Sequence, residues 1–96
     1  MSKTSEAEVM ASVIHHASVI ARERGVLSLW TVYDHPLDFP DGFIARRHEA
    51  SAAGSIASQD VITGELAVIR QAMQMCGLFC MPRADADDRK IVETWI

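Results

Sequence analysis

The stretch Val26-Leu-Ser-Leu-Trp-Thr-Val-Tyr33 decides how the rest of this chain is read. It is rich in β-branched and aromatic residues, and both of its alternating sets are largely apolar. Leu27, Leu29, Thr31 and Tyr33 fall on one side and Trp30 and Val32 on the other, the pattern of a central strand covered on both faces. The segment Asp34-His-Pro-Leu-Asp-Phe-Pro-Asp-Gly42 then breaks the strand with two prolines and a glycine. Phe43–Ala50 resumes as a second strand, with Arg46 and His48 on one face and Arg47 on the other. Together the two strands form a β-hairpin.

Upstream of this hairpin, Ser5 and Glu8 form a capping box at the start of a helix over 6–24. Met10, Val13, Ile14, Ala17, Ile20 and Ala21 recur at helical spacing along one face. Arg22 and Arg24 complement the negative end of the helix dipole, and Gly25 supplies a left-handed cap. Downstream, Ser51–Ser58 is small and polar and reads as a flexible connection. Thr63 caps a second helix from Gly64 to Cys76, with Leu66, Ile69, Met73 and Cys76 facing inward, and Gly77 ends it. Leu78–Met81 reads as a short strand stopped by Pro82, Arg83–Lys90 as a charged turn, and Ile91–Ile96 as the last strand. There is no heptad array and no repeat beyond the two hairpins. The prediction is one α+β domain over 1–96. It comprises an N-terminal helical extension (6–24) and a ββαββ unit (29–96), with a four-stranded antiparallel sheet whose first and last strands are the inner pair.

The blocks Leu29-Trp-Thr-Val-Tyr-Asp-His-Pro-Leu-Asp-Phe-Pro-Asp41, Gly77-Leu-Phe-Cys-Met-Pro-Arg83 and Asp87-Asp-Arg-Lys-Ile-Val-Glu-Thr-Trp-Ile96 carry a resemblance. They are similar to a family of short bacterial and phage-encoded proteins with the pattern W-x-[VI]-Y-x-H-P-x-D-[FY]-P, then a helix, then a terminal I-V-E-x-W segment. The likeness covers residues 29–96 and implies a compact α+β unit, with no assigned activity to carry over. The helix at 6–24 departs from the family pattern and looks like an extension.

Composition excludes more than it assigns. With 49% hydrophobic and 23% charged residues the chain is an ordinary globular sequence. A net charge of −4 and a pI near 5.4 disfavour non-specific nucleic-acid binding, which needs a basic surface. Val9–Ala21 is too short and too polar for a membrane span, and the first eight residues lack the basic region of a signal peptide. A cytoplasmic location follows, in which Cys76 and Cys80 are reduced thiols.

The loop Asp34–Asp41 concentrates three carboxylates and an imidazole. Asp34, His35 and Asp38 fit a hard-cation site or a general base with an orienting carboxylate, but the segment fits better a rigid turn whose aspartates bond nearby amides. Arg46 and His48 share a strand face and fit a carboxylate or phosphate ligand, but fit better a solvated surface paired with nearby acids. Adjacent His15 and His16 diverge on a helix and do not make a metal pair, and Cys76 and Cys80 lack zinc or CxxC spacing. No metal, cofactor or catalytic residue is predicted.

Two function classes follow, and a third is disfavoured. The first is a non-enzymatic interaction module that forms a homodimer, with Met10, Val13, Ile14, Ala17, Ile20, Trp30 and Trp95 at the interface. Its argument is that both alternating faces of the Trp-bearing strands are apolar, so one must be covered by the N-terminal helix or by a second subunit. The second is a small ligand-binding protein or enzyme with its site at Asp34, His35, Asp38, Arg46 and His48, which predicts a concavity with His35 at its wall. Nucleic-acid association requires Arg22, Arg24, Arg46, Arg47 and Arg83 to cluster on one surface.

Overall fold

The computed structural model describes residues 5–37, 39–85 and 88–96. The order of elements is α1 (Glu6–Glu23), β1 (Leu27–Asp34), β2 (Phe43–Ser51), β3 (Gly54–Gly64), α2 (Leu66–Met75), β4 (Cys80–Pro82) and β5 (Ile91–Trp95). The strands form one sheet in the order β3-β2-β1-β5-β4, and every pairing is antiparallel. β1 is central, and Trp30 stands opposite Trp95 in the β1–β5 register.

The predicted four-stranded sheet is corrected to five strands. The segment expected to be a flexible connection turns at Gly54, whose φ is +118°, and runs back along β2 as β3. Small residues give this strand little propensity of its own, so its order comes from the ladder and from a stitched irregularity. Between Arg46 and His48 the register slips. There the Ser58 hydroxyl donates to the Arg47 carbonyl (2.7 Å), the Asp60 N–H donates to Ser58 Oγ (3.1 Å), and Arg46 Nη1 donates to the Ser58 carbonyl (2.9 Å). The second helix is also shorter than predicted. Glu65 occupies its N-cap position, without a side-chain cap bond.

Both helices lie on the face of the sheet that carries Trp30, Val32, Ala45, Ile62 and Trp95, where α1 and α2 close one core. Ile14, Ile69 and Met73 are fully buried against those side chains. Trp30 Nε1 donates to Ser18 Oγ of α1 (3.4 Å), and Cys76 Sγ beside α2 donates to the Ala11 carbonyl (3.2 Å). α1 therefore supplies part of the core and does not cross to the second face. Its N-cap is as predicted: Ser5 Oγ accepts from the Glu8 N–H at 3.1 Å. Gly25 follows with a φ of +75°, which a side chain would strain.

The face that α1 turns inward differs from the predicted stripe. Ala7, Ala11, Ile14, Ala17 and Ala21 are buried, whereas Val9, Val13 and Ile20 remain 54%, 46% and 44% exposed. The physical reason is volume. Trp30 rises from β1 beneath α1 and bonds its Ser18, so the helix approaches through alanines, and its β-branched residues are displaced to the flank.

Candidate functional site

Among the described residues, three places bear on the predicted sites. The first is the loop after β1. His35 takes a φ of +47°, unusual for a residue with a side chain. Its N–H donates to the Gly42 carbonyl (2.8 Å), its carbonyl accepts from Lys90 Nζ (3.0 Å), and its ring meets Phe43 edge-on at 5.4 Å. His35 Nδ1 pairs with Asp34 Oδ1. The imidazole stands at the wall of a concavity of about 440 Å³ that Glu6, Phe39, Asp41, Phe43 and Glu65 also line. Asp38, expected to belong to this site, lies outside the described residues.

The second place is the helix-free face of the sheet, where Arg46 and His48 point. The Tyr33 hydroxyl reaches across this face to lie 3.2 Å from His48 Nε2. Burial, assisted by the Arg46 charge, lowers the His48 pKa from its ordinary value. A shallow depression of about 350 Å³ between Leu29, Thr31, His48, Met81 and Thr94 opens here. The four predicted ligand residues that are described thus do not converge. His35, paired with Asp34, lines a loop pocket bordered by the N-terminal ends of both helices, and Arg46 and His48 belong to the helix-free face of the sheet.

Arg47, facing the helices, is spent on structure. Its side chain is 5% exposed, and its guanidinium donates to Asp60 (2.7 Å), Glu49 (3.0 Å) and Ser28 (3.3 Å). Burial opposes its charge, but the bonds to Asp60 and Glu49 outweigh that and raise its pKa. Arg24 in turn donates to Glu49 at 2.8 Å. Arg24, Arg46 and Arg47 therefore do not gather into one basic surface.

The third place is a groove along the outer flank of α1. Two adjoining hollows, of about 590 and 530 Å³, share Val13. Their walls include Val9, His16 and Ile20 of α1, and their floor includes Arg47, Asp60 and Ile62 of the sheet. Beyond them Ile56 of β3 is 68% exposed. Of the seven residues expected at an interface, Ile14, Ala17, Trp30 and Trp95 are consumed by the core, while Val13 and Ile20 lie on this flank and Met10 at its edge. Val9 was missed because the predicted stripe was centred on the bulkiest residues.

Among the described residues, no three His, Cys, Asp or Glu side chains stand close enough to hold a metal ion. Burial raises the pKa of the Cys76 thiol, and burial together with Glu93 raises that of Cys80. Among the described residues no helix is long and apolar enough to cross a membrane. No family model, curated protein or solved structure matches this chain.

Proposed function

We propose that this chain is a non-enzymatic interaction module that self-associates. The observation that carries the reading is the exposed flank of α1. The core closes without Val9, Val13 and Ile20, yet these residues form one apolar ridge beside a groove floored by Ile62. A contiguous ridge of this kind marks a contact surface more often than scattered exposed apolar residues do. The helix-free sheet face supports the same reading, since Leu29, Tyr33, Met81 and Thr94 remain partly exposed there.

Size-exclusion chromatography with light scattering over about 10–500 μM, the range of weak protein association, is the test. The reading expects a mass rising from 10.6 kDa toward twice that value. A constant monomer mass overturns it.

A second reading has one specific observation in its favour: His35 stands at the wall of a concavity, with three carboxylates and two phenylalanines around it. That lining suits a cationic organic ligand with an apolar body. Spectra recorded with an alkylammonium series would show shifts at His35 and Phe43 if the pocket is used. The absence of shifts at millimolar ligand removes this reading.

A further inference from the structure

We infer that the self-association proposed above is a two-fold pairing of α1 with α1 of a second copy, the two helices running antiparallel. The inference rests on that reading and names its surface and its geometry.

The exposed flank has a definite spacing. Val9, Val13, His16 and Ile20 follow one another at intervals of four, three and four, which aligns them within about 60° on the helix surface. This seam lies roughly 130° around α1 from the direction of its buried alanines, at 100° per residue. It faces away from the sheet and toward β3, where Ile62 and Asp60 form the groove. A second helix reaches it without displacing a strand.

The seam is also self-complementary. A two-fold axis midway between Ile14 and His15 sets Val9 opposite Ile20 of the second copy and Val13 opposite its His16. From Val9 to Ala21 the helix carries no Asp, Glu, Lys or Arg, and the charges sit at its ends. The same axis brings Glu6 level with Glu23 of the second copy, on the opposite side of the seam, and within one residue of its Arg24. Glu6 and Arg24 lie on the same side of the seam, about 50° from it. A two-fold perpendicular to both helices keeps them on that shared side, so at each end Glu6 joins the ion pair that Arg24 already makes with Glu49 of its own chain. A parallel pairing would instead set Glu6 against Glu6 and Arg24 against Arg24. The acidic start and basic end of α1 also suit its own dipole, but the dipole gives no reason for three exposed β-branched residues between them.

The contact is small. A ridge of twelve residues is about 17 Å long, and even with the groove wall it falls short of the roughly 1,200 Å² of a standard interface. The dimer is therefore weak, with dissociation in the micromolar range.

Disulfide trapping tests the geometry. In a Cys76→Ala, Cys80→Ser background that melts like the parent, Val9→Cys and Ile20→Cys chains are prepared separately, mixed, and oxidised gently with glutathione disulfide. Antiparallel pairing places Val9 against Ile20 of the other copy, whereas two Val9 positions are about 16 Å apart along the helices, too far for a disulfide. The expected product is the mixed Val9–Ile20 dimer, with little of either homodimer. Homodimers formed in separate tubes would show a parallel pairing and overturn the inference. So would a lack of cross-links in a protein that light scattering shows to be dimeric, which would move self-association to the helix-free sheet face. A protein monomeric by light scattering would defeat the underlying reading instead. In parallel, Val13→Glu is expected to weaken the dimer at least about tenfold with an unchanged melting temperature, because Val13 lies outside the core.

Discussion

Replacing Arg70 with methionine should destabilise the fold in a pH-dependent way that follows from one buried carboxylate. Glu93 on β5 has a side chain only 6% exposed, facing the helices. It accepts from Arg70 Nη2 at 2.8 Å, from Arg70 Nε at 3.1 Å and from Trp95 Nε1 at 2.8 Å. Burial pushes its pKa up, but the bonds from Arg70 and Trp95 outweigh burial and hold it below the ordinary carboxylate value. Removing one member of a fully buried pair costs about 3–5 kcal/mol. Arg70 is 47% exposed, so solvent already screens its side of the interaction, and about 2 kcal/mol is the appropriate estimate. For a domain of this size that corresponds to a melting temperature lower by about 8–16 °C at neutral pH.

The sign of the pH dependence follows from linkage. In the parent, the depressed folded-state pKa contributes stability that is present above the unfolded value of about 4.3 and is lost as pH falls through the folded value. In Arg70→Met the burial effect dominates and the Glu93 pKa rises, so acidification neutralises a badly placed charge and relieves the variant. The gap between parent and variant should therefore narrow from pH 7 to pH 4. Thermal melts followed by circular dichroism measure it. A drop below about 3 °C at pH 7, or a gap that does not shrink on acidification, would refute the reasoning.

Other consequences can be checked on the same protein. Gly25 and Gly77 end the two helices with φ of +75° and +73°, so Gly25→Ala and Gly77→Ala should each cost about 1 kcal/mol in urea melts and add when combined. Trp30 is 1% exposed at the centre of the core, and Trp30→Ala should cost about 3–5 kcal/mol, much of what a small domain has. The His48 imidazole should titrate below 6.5 by NMR. Because burial is the larger cause, Arg46→Gln should recover only part of the shift, and a value at or above 6.5 would contradict the placement.

The sequence made the frame legible where local and tertiary signals agree. The Ser5 cap, the Gly25 stop and the two-sided apolar strand at Val26–Tyr33 each lead to an observed element, and β1 is central as its two apolar faces imply. β3 was hidden because Ser51–Ser58 has neither β-branched residues nor alternation until Ile56, and its order is conferred by β2 and the Arg47–Asp60 stitch. Periodicity located α1 but misjudged its inner face. A 3.6-residue pattern weighted by bulk favours Val13 and Ile20, while Trp30 packed beneath the helix leaves room for the alanines. The division of the candidate ligand residues between two faces was likewise unreadable from spacing alone. Asp34 and Arg46 lie in neighbouring strands, and only register and side-chain direction separate them.

The most direct test of the central claim is a dilution series of amide-correlation NMR spectra on the full chain, from about 1 mM to 20 μM, spanning the weak-association range. The account predicts concentration-dependent shifts centred on Val9, Val13, His16 and Ile20, with the amides around Leu29 and Tyr33 of the helix-free face unmoved. Spectra that superimpose at every concentration, or shifts confined to that sheet face, would contradict it.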